Sequence, residues 1–332
     1  MLNSSIIIIV ILLALGFDFI NGFHDTANSI ATSIGTKVMT PMQALGMAAV
    51  LNFVGAMLNT EVAKTIGTGI INVGIATPQI VAIALVAAII WNLITWYLAI
   101  PSSSSHALVG ALVGASITSH KLDFSVINWT GFLDKIIIPL ISSPIFGLVI
   151  GFIFMLILTW LFHKATHKKV NGLFKKLQIC SAALMAYSHG SNDAQKSMGV
   201  ITMALIAGGL LDGRNFAIPL WVKIACAISM ALGTMTGGWK IIKTMGVNMI
   251  KLEPIDGFAA ETAAALTIQV ATSLGAPVST THVISSAIMG VGSCKRLSAV
   301  RWSLARTILV AWVLTIPCSA IIASIIAFVF YH

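Results

Sequence analysis

Charge is what this chain has least of. Only 9% of its 332 residues are Asp, Glu, Lys or Arg, while 58% are hydrophobic. An average soluble domain carries roughly 25% charged residues. A water-soluble fold of this length would be wrapped in nearly uninterrupted apolar sequence, with no polar face for the solvent. Soluble classes are therefore excluded. Strict alternation of apolar and polar residues is also missing. The apolar runs at 6–17, 80–100, 136–162 and 305–330 are continuous, which excludes a membrane β-barrel and suits helices that cross a bilayer. Cysteine is sparse: Cys180, Cys226, Cys294 and Cys318 have no paired spacing, so they read as packing thiols and neither a disulfide framework nor a thiolate metal centre is expected. The net charge of +9 does not point to nucleic acid, because the basic residues fall where they would mark membrane orientation. The first apolar run lacks a basic leader and a cleavage site and continues directly into polar sequence, so it is taken as the first helix rather than a signal peptide.

The densest basic segment, 163–177, is placed on the cytoplasmic side, with Lys240, Lys243 and Lys251, and Lys295, Arg296 and Arg301, in further basic loops. Crossings are expected at about 6–33, 41–59, 78–100, 102–118 and 136–162, and again at about 178–207, 215–236, 257–275, 277–292 and 303–330. The shorter pair, 102–118 and 277–292, also suits re-entrant hairpins. Five segments per half is an odd number, so two homologous halves must lie in opposite orientations. The expected fold is an all-α polytopic membrane protein of two inverted-topology repeats, with broken or re-entrant helices and about 10–12 membrane segments. The repeats are 1–162 and 178–332, joined by a basic cytoplasmic linker at 163–177, with both termini outside the cell membrane.

The repeat is visible in the residues. Gly22-Phe23-His24-Asp25-Thr26-Ala27-Asn28 returns as Gly190-Ser191-Asn192-Asp193-Ala194-Gln195-Lys196, and Pro101-Ser102-Ser103-Ser104-Ser105-His106 returns as Pro277-Val278-Ser279-Thr280-Thr281-His282. Lys64-Thr65-Ile66-Gly67 matches Lys243-Thr244-Met245-Gly246 in the same order. An ionised carboxylate at membrane depth costs several kcal/mol, so Asp25 and Asp193 each need a cation, a proton or a strong donor. Asn21 and Asn28 flank the first and Asn192 and Gln195 the second, a donor set that suits either Na⁺ or a proton-carrying carboxyl. Gly22 and Gly190 are expected to break their helices. The plainer reading of each Asp is a cap on a broken helix.

The hydroxyls behind Pro101 and Pro277, namely Ser103, Ser104, Ser105, Ser279, Thr280 and Thr281, suit helix starts. Two such starts facing each other would hold a tetrahedral oxyanion without Arg or Lys; simple capping is the alternative. A Ser–His catalytic pair at 105–106 or 281–282 is disfavoured because adjacent helical residues diverge by about 100°. Glu261, the one acid in its apolar run, is a further candidate for the coupling cation, against an end-of-helix carboxylate. Lys196 stands where the first copy has Asn28, so the site is not symmetric.

In these motifs the chain resembles the inorganic phosphate transporter (PiT) family, over essentially its whole length. The His24-Asp25 form with Gln195-Lys196 resembles the bacterial low-affinity branch. The resemblance implies a secondary transporter, not an enzyme, that imports inorganic phosphate by symport with a cation, H⁺ favoured over Na⁺. A divalent metal travelling with phosphate is part of that expectation. Phosphate is expected at Asn28, Ser103, Ser104, Ser105, Gln195, Ser279, Thr280 and Thr281. The coupling cation is expected at Asp25, Asp193, Asn21, Asn192 and Glu261, with Asp25 and Asp193 as the metal ligands if the ion is Na⁺. No cofactor beyond the coupling ion is expected. The partners are phosphate, the ion and the lipid bilayer, with a homodimer as the expected assembly. A permease for sulfate or another oxyanion, or an intramembrane phosphoester hydrolase, are the alternatives.

Overall fold

The computed structural model describes residues 2–71, 75–213 and 215–331, with side chains from Ser5 onward. In chain order the helices are α1 (Leu2–Gly35), α2 (Pro41–Leu58), α3 (Glu61–Gly69), α4 (Pro78–Tyr97), α5 (Ser104–Ser119), α6 (Trp129–Leu161), α7 (His167–Ala207), α8 (Leu220–Thr236), α9 (Trp239–Asn248), α10 (Pro254–Ser273), α11 (Thr280–Lys295) and α12 (Trp302–Tyr331). Extended pairing among the described residues is limited to one isolated bridge, Ile71 to Ile127. Proline starts α2, α4 and α10, where its missing N–H is no loss, and Thr40 and Thr77 cap the first two of these.

This is a multi-pass membrane protein. α1 from Ser5, α2, α4, α6 and α12 are each long and apolar enough to cross a bilayer, and α8 with α9, bent by 63° across Gly237–Gly238, is long and apolar enough together for a broken span or a re-entrant loop. Burial is distributed as lipid solvation requires. Val313 and Trp160 are 74% and 73% exposed, whereas every residue from 188 to 205 of α7 is buried.

The order of elements in α1–α6 recurs in α7–α12. α4 and α10 have 20 residues each, and α5 and α11 have 16 each. Their packing repeats as well. α1 lies on α8 and α2 on α7; α5 lies on α12 and α11 on α6. α1 and α7 run antiparallel, since Asp18 bonds Ser197 near one end and Thr36 bonds Gln178 near the other. Two apolar cores result. One gathers the N-terminal half of α1 with α4, α5 and the end of α7; the other gathers Ala27, Ile30 and Ala31 of α1 with α10, α11 and the start of α7.

The crossing expected at 41–59 is α2, which ends at Leu58, and the short helix α3 follows it after Asn59–Thr60. The segments near 102–118 and 277–292 take the hairpin form that their length also allowed: they are the returning arms of hairpins α4–α5 and α10–α11, whose turns at 101–105 and 277–281 are buried inside the bundle. Each hairpin turns through a left-handed residue, Ala99 (φ 56°) and Gly275 (φ 69°). Two expectations need correcting. The basic segment 163–177 is mostly helix, because α7 already begins at His167. Gly22 and Gly190 do not break α1 or α7, which are continuous through them. They let helices cross instead. A Cβ on Gly190 would overlap the Asn52 carbonyl oxygen of α2, and one on Gly22 the Met230 carbonyl oxygen of α8.

Candidate functional site

Antiparallel packing of α1 on α7 sets the two motif carboxylates side by side at the centre, and the two hairpin turns close in on them. Asp25 is 2% exposed and Asp193 is fully buried. Together with His189 they form a cluster in which one ligand atom from each residue lies within 4.8 Å of the others. All three are hard or borderline donors, a set suited to a small cation.

In the first half-site, Asp25 Oδ1 pairs with His24 Nδ1 at 2.6 Å. Ser104 Oγ, one residue inside α5, donates to Asp25 Oδ2 at 3.0 Å, and Thr281 Oγ1, from the other hairpin, donates to Oδ1 at 3.4 Å. His24 Nε2 meets Thr95 Oγ1 of α4 at 3.1 Å, and Ser102 Oγ donates to the same Thr95 hydroxyl at 2.8 Å. The Asp–His pair is thereby tied to the hairpin turn. Asn28 Nδ2 donates across to Thr280 Oγ1 and Thr281 Oγ1 at 3.2 and 2.9 Å.

In the second half-site the partners differ. Lys196 Nζ contacts Asp193 Oδ1 at 2.6 Å, Thr280 Oγ1 donates to Oδ2 at 3.2 Å, and His189 Nε2 lies 3.5 Å from Oδ2. His189 Nδ1 reaches Asn52 Oδ1 of α2 at 3.1 Å, and Asn52 Nδ2 in turn donates to Thr234 Oγ1 of α8. The hairpin tips also touch directly, Ser105 Oγ donating to the Val278 carbonyl at 3.1 Å. The hydroxyls that meet the carboxylates therefore stand at the N-termini of α5 and α11, where free backbone N–H groups and the positive ends of the helix dipoles converge.

Not every candidate faces this centre. Ser103 and Ser279 are the N-caps, each accepting from the backbone N–H of His106 or His282 at 3.2 Å. Gln195 turns to α3, accepting from Ala63 N at 3.1 Å. Asn192 holds its own hairpin, donating to Thr272 Oγ1 at 2.8 Å and to the Ala276 carbonyl. The Asn21 side chain is buried with neither amide atom bonded. Glu261 forms a separate cluster two turns of α1 away, where its carboxylate accepts from Thr32, from Ser33 at 2.7 Å, from Ser181 at 2.5 Å and from Gln178 at 3.4 Å. Three participants have no place among the sequence candidates: His189, Thr95 and Asp18. Asp18 is fully buried and accepts from Ser197 Oγ at 2.7 Å through one oxygen, while the other is unbonded. Its signal in the sequence is spacing, since Asp18, Asp25 and Thr32 recur every seven residues on one face of α1. A cleft of about 450 Å³ lined by Glu61, Lys64, Asp134, Lys135 and Gly275–Ala276 approaches the second hairpin's turn.

A pair of buried carboxylates ringed by hydroxyl-bearing helix starts is what the sequence comparison then puts in context. Residues 21–323 match the phosphate transporter family. The chain belongs to that family. Among its relatives is a probable low-affinity inorganic phosphate transporter of Bacillus subtilis, 51% identical over 97% of this chain and 96% of that protein. A protein of the same description from Rhizobium meliloti is 50% identical over 96% and 94%. Among solved structures, one titled "The sodium-dependent phosphate transporter" superposes with a TM-score of 0.90 at 27% identity, covering 98% of this chain and 99% of that one. These relatives are named as transporters, not enzymes. In this phosphate transporter family member, Asp25 of α1 and Asp193 of α7 meet at the centre of the bundle.

Proposed function

We propose that the protein imports inorganic phosphate by symport with a cation, H⁺ favoured over Na⁺. The two repeats, 1–162 and 178–332, lie inverted across the cell membrane, with 163–177 cytoplasmic and both termini outside, and rock about the shared site. The observation that carries this reading is the double use of the same hydroxyls. Ser104, Thr280 and Thr281 donate to Asp25 and Asp193 from the helix starts that would hold phosphate. Carboxylate and phosphate thus compete for those donors. A cation at Asp25, His189 and Asp193 neutralises the carboxylates and frees hydroxyls for the anion, so each ligand promotes binding of the other. A metal ion carried with phosphate would use the same oxygen and imidazole donors. The antiparallel lie of α1 and α7 and the approach of the hairpins from opposite ends support the inverted arrangement, and the close His24–Asp25 pair supports a proton.

The driving force is adequate. One net positive charge moved inward gains about 2.3 kcal/mol per 100 mV, and at about 1.4 kcal/mol per decade this sustains roughly 40-fold accumulation. The test is labelled phosphate uptake by proteoliposomes under imposed pH or Na⁺ gradients, with sulfate and divalent metals as competitors. Uptake driven by an acid exterior is expected. Uptake indifferent to both gradients, or equal displacement by sulfate, overturns the reading.

A further inference from the structure

The half-sites differ most in charge. Asn28 and Lys196 hold equivalent places three residues after the motif Asp, yet their side chains do different things. Asn28 reaches across to the hydroxyls of α11, whereas the Lys196 ammonium turns back to Asp193 Oδ1 at 2.6 Å and is fully buried. Two carboxylates side by side in a dry interior repel each other and stay ionised together best when each has a compensating positive charge. Here one of the two is part of the chain. We propose that Lys196 is a tethered cation that replaces one coupling ion, so that the transporter moves one exchangeable cation fewer per phosphate than the same site would with Asn at 196. The exchangeable ion is left the space among Asp25, His189 and Asp193 Oδ2, where His189 Nε2 has no hydrogen-bond partner.

This inference rests on the symport reading, and the experiment separates the two. In proteoliposomes held at zero membrane potential, the phosphate ratio that balances an imposed tenfold cation gradient rises by about one decade for each coupled cation. Coupling of the wild-type protein to any cation gradient tests the symport reading alone. Lys196→Asn and the closer isostere Lys196→Gln test the tethered ion. Each is expected to carry phosphate with one cation more, so that its balancing ratio is about tenfold higher than wild type when the extra ion is supplied. Uptake that becomes Na⁺-stimulated with a Hill coefficient near one is the same result. Unchanged coupling with a raised KM for phosphate would make Lys196 a phosphate ligand and overturn the proposal.

Removing Lys196 can leave Asp193 unpaired and unfold the chain, so a second arm leaves Lys196 in place. Purified wild-type and Asp25→Asn proteins are measured for bound cation, Na⁺ by radiolabel and H⁺ by uptake from a pH indicator. With the seat at Asp193 filled by Lys196, the wild type binds one exchangeable cation and the Asp25→Asn protein none. One ion still bound per Asp25→Asn chain overturns the proposal.

Discussion

Replacing Asp25 by Asn changes one charge and almost no volume at the centre of the site. The buried carboxylate accepts from His24, Ser104 and Thr281. The amide keeps an acceptor for His24, and the two hydroxyls can rotate to accept from its NH₂ group. The fold therefore survives with the loss of about one charge-assisted hydrogen bond, worth about 1.5–3 kcal/mol, partly offset by relief of the repulsion between Asp25 and Asp193. The cation suffers more. A unit charge pair about 4 Å apart at an effective dielectric of about 20 is worth about 4 kcal/mol, close to three decades of affinity. Cation-driven phosphate uptake should fall to about 1% of wild type or below, while size-exclusion profile and thermal midpoint stay near wild type. Uptake above about a tenth of wild type by folded Asp25→Asn protein would refute the assignment of Asp25 to the coupling ion, since no plausible dielectric reduces that loss to one decade.

Thr281→Val removes a hydroxyl that accepts from Asn28 and donates to Asp25; at about 0.5–1.5 kcal/mol per bond, the KM for phosphate should rise about fivefold to tenfold, and Thr281→Ser should restore it. Gly190→Ala places a methyl against the Asn52 carbonyl of α2, a backbone that has no room to move; overpacking of this kind costs about 1–3 kcal/mol and should appear as a lowered thermal midpoint and loss of monodisperse protein, with Gly172→Ala, which meets nothing, as the control. At the exposed end of α10, burial alone would raise the Glu253 carboxyl, but Lys295 at 3.5 Å and His167 hold it below its ordinary value. Its contribution is therefore complete above the ordinary Glu value of about 4.3 and is lost as pH falls through the lowered one. The acid-side decline in thermal midpoint should be shallower in Lys295→Ala than in wild type.

Much of this was legible because the motif occurs twice. Repetition of Asp25 as Asp193 and of the Pro–hydroxyl runs pointed to the groups that meet. What stayed hidden was hidden for physical reasons. Glycine in a membrane helix serves flexibility or close approach, and nothing local distinguishes them; the crossing partners of Gly22 and Gly190 lie on helices far away in sequence. A run of Ser and Thr at a helix start contains both its cap and its ligands, and only backbone geometry separates Ser103 and Ser279 from Ser104, Thr280 and Thr281. Asp18 is unrepeated, with Ala186 in the equivalent place on α7, and its partner Ser197 belongs to the other half. The part His189 plays depends on the antiparallel crossing that brings it to Asp25, which no local pattern reveals.

Comparing the halves separates what transport requires of shape from what it requires of charge. The close-packing positions match: Gly22 on α8 mirrors Gly190 on α2, Gly233 meets the Phe19 carbonyl as Gly55 meets that of Tyr187, and both hairpins turn through a left-handed residue. Beyond the paired Asp25 and Asp193 and the hairpin hydroxyls, the polar positions do not match. His24 corresponds to Asn192, Asn28 to Lys196 and Asp18 to Ala186, while Glu261 falls opposite Leu85. On the proposed alternation, each half must in turn adopt the packing of the other, and two such states are close in energy only if their helix crossings are interchangeable. Ion binding carries no such demand. A site whose charges were also interchangeable would need a second mobile cation wherever Lys196 now stands. Shape is therefore held in common by the two repeats, and departures from symmetry in charge are the places to look for ion specificity.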